Sequence, residues 1–313
     1  MNFELTLLGT NAALPIPGRA PSGQSLLVHH RPYLIDCGEG TQLRLIECGV
    51  RHRRIRQIFI SHLHGDHVFG LIGLLTSWQL SDRRDPVDLF APQPLEAMLR
   101  VQLEASQTKL GYVLSFHQVD PTRHYRLFED RRVEVFSLPL DHRIPTTGYL
   151  FREKARPDNI RPEKIREYQI PVEAIPAIKA GAGFTLPGGR RITHEELTVP
   201  APPPRSFAYC SDTRFREALI PLLQNVDLLY HEATFLEEQA DLAEKTGHST
   251  ARQAARLARA AGVGRLVLGH FSSRYGDVEQ FAREARRVFP KSIAGKEGMR
   301  IEVPFEGREL DEG

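Results

Sequence analysis

The stretch Ile60-Ser-His-Leu-His-Gly-Asp-His-Val-Phe-Gly70 (ISHLHGDHVFG) sets His62, His64, Asp66 and His67 directly behind the apolar run Gln57–Ile60. Such a short apolar run reads as a buried strand. His62 and His64 are two apart and face the same side of an extended segment. Gly65 bends the chain, so Asp66 and His67 turn toward a neighbouring point. Imidazole nitrogen and carboxylate oxygen are zinc ligands at about 2.0–2.2 Å. A lone histidine at a strand end is ordinarily structural, but burying four such groups without partners would cost several kcal/mol. Four ligands on one ion would also close it to substrate. The simplest solution is two ions that share the cluster, each completed from elsewhere in the chain.

Further along, one arrangement recurs: an apolar β-type run ends and a polar residue follows. Phe3–Leu8 leads into Gly9-Thr10-Asn11, Tyr33–Ile35 into Asp36, and Val133–Leu140 into Asp141-His142. Ser206–Cys210 leads into Ser211-Asp212, Asp227–Tyr230 into His231-Glu232, and Arg265–Leu268 into Gly269-His270. In sheet-based α/β folds ligands collect beyond the carboxyl ends of strands, so these runs point to one shared site. His142, Asp212 and His270 are the strand-end residues available to complete two ions. A carboxylate such as Asp212 can bridge two cations through its two oxygens, which a neutral histidine is poorly built to do.

Between the strands, Val68–Leu80 has near-helical apolar spacing interrupted by Gly70 and Gly73. Ser249 and Thr250 are cap residues for an Ala- and Arg-rich helix over Ala251–Ala261, and Val278–Val288 reads as another helix before Pro290. Alternating strands and helices predict an α/β sandwich. Residues 151–204 differ: they are rich in Arg, Glu and Pro, and read either as an extended surface insertion or linker, or as an arm that grips a large partner. With 41 basic and 39 acidic residues the net charge is +2, which neither demands nor excludes a nucleic-acid partner. The three cysteines, Cys37, Cys48 and Cys210, form no Cys-x-x-Cys pair and read as reduced thiols. The N-terminus has no signal-peptide pattern and no stretch approaches the ~20 apolar residues that span a bilayer, so a soluble, cytoplasmic chain is expected.

The pattern His62-x-His64-x-Asp66-His67 with later His142, Asp212 and His270 resembles the two-zinc metallo-β-lactamase fold, a four-layer αββα sandwich. Asp36-Cys-Gly-Glu-Gly-Thr-Gln42, His231-Glu-Ala-Thr-Phe235, Gly247-His-Ser-Thr250 and His270-Phe-Ser-Ser-Arg-Tyr275 resemble motifs of the ribonuclease Z family in its short form. The likeness runs from Leu7 to Pro304. It implies a single domain over residues 1–313, with 151–204 as a protruding tRNA-binding arm, and a homodimer. It further implies an endoribonuclease that removes the 3′ trailer of precursor tRNA by attack of metal-activated hydroxide on a phosphodiester, leaving a 3′-hydroxyl.

By that resemblance His62, His64 and His142 hold one Zn²⁺, Asp66, His67 and His270 hold the other, and Asp212 bridges them; Mn²⁺ or Co²⁺ suits the same N/O ligands. His248 is then the general acid for the leaving 3′-oxygen, Glu232 orients or charges it, and Asp66 has a proton-accepting role besides its metal bond. Two basic groups, Arg51/Arg53/Arg54/Arg56 and Arg252/Arg256/Arg259, read either as phosphate contacts or as solvated faces. The chain departs from the family pattern at two places. Ile170-Pro-Val-Glu-Ala-Ile175 stands where the arm usually has a Gly-Pro pair, and Pro15-Ile-Pro17-Gly-Arg19-Ala20 replaces a Pro-x-Lys-x-Arg-Asn loop. Three rival readings use the same fold: a thioesterase or lactonase, another phosphodiesterase, and a non-catalytic RNA-binding subunit. A thioesterase has no evident use for His248, Glu232 or the long insertion, and intact ligand positions argue against a non-catalytic subunit.

Overall fold

The structure is a computed structural model and describes residues 2–303. The chain divides into two compact units, one built from residues up to 152 and from 205 onward, the other from residues 153–204.

The larger unit contains two seven-stranded sheets. In the first, β1 (Phe3–Gly9), β2 (Gly23–Val28), β3 (Arg31–Cys37), β4 (Gln57–Phe59), β5 (Val87–Ala91) and β6 (Leu114–Gln118) lie side by side, and β18 (Arg300–Glu302) flanks β1. The pairings from β18 to β3 are antiparallel and those from β3 to β6 parallel. The second has the order β17 (Ser292–Ala294), β16 (Arg265–Gly269), β15 (Leu228–Glu232), β14 (Ser206–Cys210), β9 (Thr147–Glu153), β8 (Val133–Pro139) and β7 (Arg126–Glu129). There the pairings from β17 to β14 are parallel, and β14 meets β9 antiparallel.

The period-2 alternation of strands explains the layering. Tyr33 and Ile35 in β3 join Phe3, Leu5, Phe59, Phe151, Phe207, Tyr209, Tyr230 and Val267 in one buried layer contributed by both sheets. The intervening Leu34, with Ile58 and Leu89, packs instead against Leu45, Leu71, Leu74, Leu75, Trp78 and Leu95 of flanking helices. On the far side, Ala208, Leu229, Leu266 and Leu268 meet Ala251, Ala254, Ala255, Ala258, Phe281 and Ala285. The result is an α/β sandwich, as the alternation of strands and helices predicts, with the αββα order that the resemblance implies. All seven apolar runs are strands, within a few residues of the expected limits.

Three details differ from expectation. The helix expected over Val68–Leu80 is two pieces, Gly65–Val68 and Leu71–Leu80. The break falls at Phe69-Gly70, where Gly70 packs so closely that a Cβ there would come within 2.1 Å of the Gly38 carbonyl oxygen. The helix expected over Val278–Val288 is shorter, Glu279–Arg286. Phe151 and Arg152 belong to β9 rather than to the insertion. The helix Ala251–Ala260 begins as its sequence indicates: the Thr250 hydroxyl accepts from the Gln253 N–H at 3.1 Å, and the Gln253 side chain accepts from the Thr250 N–H at 2.9 Å.

The smaller unit is not an unstructured linker. Two short ladders, β10 (Asn159–Ile160) with β13 (Thr198–Val199) and β11 (Phe184–Thr185) with β12 (Arg191–Ile192), surround a core of Ile170, Ile178, Ile192 and Leu197. His194 ties it together, with Nδ1 2.8 Å from the Ile178 carbonyl and Nε2 2.8 Å from Asp158 Oδ2. No helix among the described residues is long and apolar enough to cross a membrane.

The hydrogen bond to Asp158 raises the His194 pKa above its ordinary 6.5. A raised folded-state pKa contributes stability that is fully present below the ordinary value and is lost as pH rises through the raised one. Limited proteolysis within residues 153–204 is therefore expected to accelerate as the pH climbs above neutrality. Asp158→Asn should remove most of that pH dependence.

Candidate metal centre

Every member of the sequence-identified cluster arrives at one end of the sandwich because it follows directly on a strand or its turn. His62, His64, Asp66 and His67 follow β4, His142 follows β8, Asp212 follows β14 and His270 follows β16. His62, His67, Asp212 and His270 are buried, while His64, Asp66 and His142 are half-buried.

Two groups form. In the first, His62 Nε2 lies 3.0 Å from His64 Nδ1, and His142 Nε2 lies 3.3 Å from His64 Nδ1. Asp212 Oδ2 stands 3.5 Å from His62 Nε2 and 3.8 Å from His142 Nε2. In the second, His67 Nε2 and His270 Nε2 are 3.2 Å apart, and Asp66 Oδ2 is 3.5 Å from the former and 3.3 Å from the latter. Asp212 Oδ1 is 3.4 Å from His67 Nε2 and 3.2 Å from His270 Nε2. Asp212 thus turns one oxygen toward each group. Ligands on a tetrahedral ion with bonds near 2.1 Å lie about 3.4 Å apart, so these separations match the edges of two ligand shells joined at one carboxylate. Asp212 Oδ1 is buried and lacks a hydrogen-bond partner. The donor set fits a pair of divalent cations.

The outward nitrogens explain the aim of the rings. His67 Nδ1 is 2.8 Å from Asp36 Oδ2, His270 Nδ1 2.9 Å from Thr234 Oγ1, His62 Nδ1 3.0 Å from Ser61 Oγ, and His142 Nδ1 2.7 Å from the Gly247 carbonyl. Each fixes a ring so that its other nitrogen faces the cluster. Asp36 is the hub: its Oδ1 also takes the Ser61 N–H at 2.7 Å, and its Oδ2 the Ser61 hydroxyl at 2.8 Å and the Tyr209 hydroxyl at 2.6 Å. Gly247 has a φ of 79° and sits so near His142 that a Cβ would lie 2.8 Å from its Nδ1, so only glycine serves there.

Electrostatics favour the same use. Burial, aided by His67, pushes the His62 pKa down to about 4, and burial also lowers His64 and His142. These rings are neutral at neutral pH, the form that offers a lone pair. Burial opposes a proton on His67 too, yet Asp212, Asp66 and Asp36 together outweigh it and draw positive charge to that spot. Asp66 and Asp212 are held well below the usual carboxylate range against the cost of burial, chiefly by the neighbouring histidines.

Beside the two groups stands a third element. His248 Nδ1 is 3.0 Å from Glu232 Oε1. Glu232 is buried; its Oε1 also accepts the N–H groups of Thr213 (3.1 Å) and Ser249 (2.9 Å), and its Oε2 accepts the Thr234 N–H and hydroxyl, both at 2.8 Å. It therefore anchors the loop and orients the histidine at once. Burial disfavours charge on His248, but Glu232 overcomes this and raises its pKa to about 9. Both groups and His248 open on a cleft of about 550 Å³, lined also by Leu14, Phe69, Arg143, Phe235 and Arg274.

Residues 3–155 match the family model described as "Anti-Pycsar protein Apyc1", and residues 170–271 the one described as "Beta-lactamase superfamily domain". Over 302 residues the chain is 45% identical to the ribonuclease Z of Parabacteroides distasonis, covering 96% of this chain and 99% of that one. The chain belongs to the ribonuclease Z family. A ribonuclease Z of Porphyromonas gingivalis is 44% identical over 301 residues, with the same shares covered. The crystal structure of human tRNase Z, short form, superposes with a TM-score of 0.72 at 28% identity, over 96% of this chain and 100% of that one. A metallo-β-lactamase fold protein from Bacillus subtilis, 20% identical, shares the fold with a TM-score of 0.67 over 96% of this chain and 100% of its own.

The sequence marks Asp36 as a strand-end residue and as part of a motif but gives no role to it, nor to Ser61, Thr234 or the Gly247 carbonyl. For Asp36 a signal existed, since it follows an apolar run as His142 and Asp212 do. For the others none did, because each acts through a contact between distant segments. Cys37 and Cys210 are buried with their thiols pushed up by burial, so neither is a nucleophile. Outer partners of metal-binding histidines typically carry a 10–100-fold share of affinity. Asp36→Asn is expected to weaken divalent-metal binding by about that factor, measured by chelator competition.

Proposed function

We propose that the protein is an endoribonuclease that removes the 3′ trailer of precursor tRNA, using two Zn²⁺ ions, and works as a cytoplasmic homodimer. The observation that carries the reading is the single cleft in which two ligand groups, joined through Asp212, meet a protonated histidine. His62, His64 and His142 would hold one ion, and Asp66, His67 and His270 the other, with Asp212 shared between them. When bound, the ions supply Lewis acidity at a phosphoryl oxygen and a water nucleophile at neutral pH.

The chain's own groups do the rest. Arg143 and Arg274 line the cleft and draw in a phosphodiester. The leaving 3′-oxygen of the tRNA needs a proton. His248 is protonated at neutral pH, and with Nδ1 on Glu232 it has Nε2 left to donate. Glu232 is a positioning residue that also sustains that charge. Asp66 is kept ionised, the form that binds a cation or takes up a proton. A thioester hydrolase has less need of this acid, since a thiolate departs more readily than an alkoxide.

The unit of residues 153–204, with its own core, supports the reading as an arm that contacts tRNA. Arg252, Arg256 and Arg259 are exposed, as are Arg51, Arg53, Arg54 and Arg56, the last of them paired with Asp85. The homodimer is supported by Leu43 and Ile46, apolar side chains that stand exposed on the helix Thr41–Glu47.

With purified protein, trailer-bearing precursor tRNA should be cut at one position, and a chelator should abolish cutting until zinc is restored. His248→Ala should retain both zinc ions yet turn over about 10²–10⁴-fold more slowly. Zinc content falling in step with activity would refute the assignment. Leu43→Glu with Ile46→Glu should convert dimer to monomer in sedimentation.

A further inference from the structure

Phe69 is large, apolar and 63% exposed, yet it lines the cleft that holds His64, Asp66, His248 and His270. It also lines an adjoining apolar groove of about 230 Å³ with Ile72, Leu95, Met98 and Gln102. The ring is not loose. A Cβ on Gly65 would lie 2.4 Å from its Cε2 and 2.6 Å from its Cδ2, so one edge rests on the turn that carries the ligand residues. The next residue, Gly70, is locked against the Gly38 carbonyl. The Ala13 N–H donates to Asp66 Oδ2 at 2.8 Å, and the following Leu14 is 62% exposed in the same cleft. Two apolar side chains therefore flank a carboxylate in a site built for phosphate.

A phosphodiester has no use for such groups. The part of an RNA strand that does is the nucleobase next to it, whose π-face stacks on aromatic rings. A second copy of the chain seated on Phe69 would close the cleft to RNA. We propose that Phe69 stacks on a nucleobase flanking the scissile phosphate, with Leu14 as a second apolar contact in the same cleft. This rests on the ribonuclease reading and adds a substrate-positioning residue to it.

The test uses the zinc-loaded full chain and three substrates: trailer-bearing precursor tRNA, and the same RNA with one abasic nucleotide immediately 5′ or immediately 3′ of the cleaved bond. Phe69→Ala should lower kcat/KM on the unmodified RNA by about 5- to 150-fold, while Phe69→Tyr stays close to wild type. On one of the abasic substrates, wild type and Phe69→Ala should react alike, because the stacking partner is gone. Zinc content and sedimentation should be unchanged. Equal losses on all three substrates, a changed sedimentation coefficient or lost zinc would overturn the stacking role alone. Wild-type protein that leaves the unmodified RNA uncut would overturn the ribonuclease reading with it.

Discussion

The site depends on one buried carboxylate. Asp212 directs Oδ2 at the imidazoles of His62 and His142 and Oδ1 at those of His67 and His270. Lone pairs aimed at one another across little more than 3 Å repel unless positive charge lies between them. The protein itself fixes their aim. It does so with a ring of outward hydrogen bonds and with a backbone kept in costly conformations: Asp36 and His270, neither of them glycine, have φ near 57° and 58°. Such strain persists only where the surroundings over-determine it. At Asp36 four groups converge on one side chain, and at His270 the following residue, Phe271, is locked by the Thr10 carbonyl and the Ala12 N–H.

The sandwich makes this possible by its strand ends. Two sheets packed through a shared aromatic layer bring β3, β4, β8, β14, β15 and β16 to one rim, so ligands more than 200 residues apart meet within hydrogen-bond range. The helices outside contribute more than cover. Small side chains, Ala251, Ala254, Ala255 and Ala258, seat the helix Ala251–Ala260 closely on the second sheet. Its capping residue Thr250 lies two positions after His248. His248 is thus fixed by a helix start on one side and by the buried Glu232 on the other. A preorganised pair of this kind loses little by reorganising during a proton transfer.

Much of this was legible in the residues. His62, His64, Asp66 and His67 declare a metal site because four ligating groups behind an apolar run have no cheaper explanation. The α/β sandwich followed from short Val/Ile/Phe/Tyr runs alternating with helical stretches, while the αββα layer order was what the family resemblance implied. Less could be read where sequence periodicity is blind. The break at Phe69-Gly70 comes from a close approach to the Gly38 carbonyl, and the ordered core of residues 153–204 comes from four scattered apolar residues in a polar, proline-rich segment.

Residue identity alone thus determined the ligand chemistry, the strand-end placement of the candidate ligands and the α/β class, because all three follow from local pattern and donor type. Tertiary structure alone decided how closely the candidate ligands gather, which oxygen of Asp212 faces which group, and that Asp36, Thr234 and the Gly247 carbonyl aim the rings. Those relations are distances between segments far apart in the chain, and a linear pattern carries no distances.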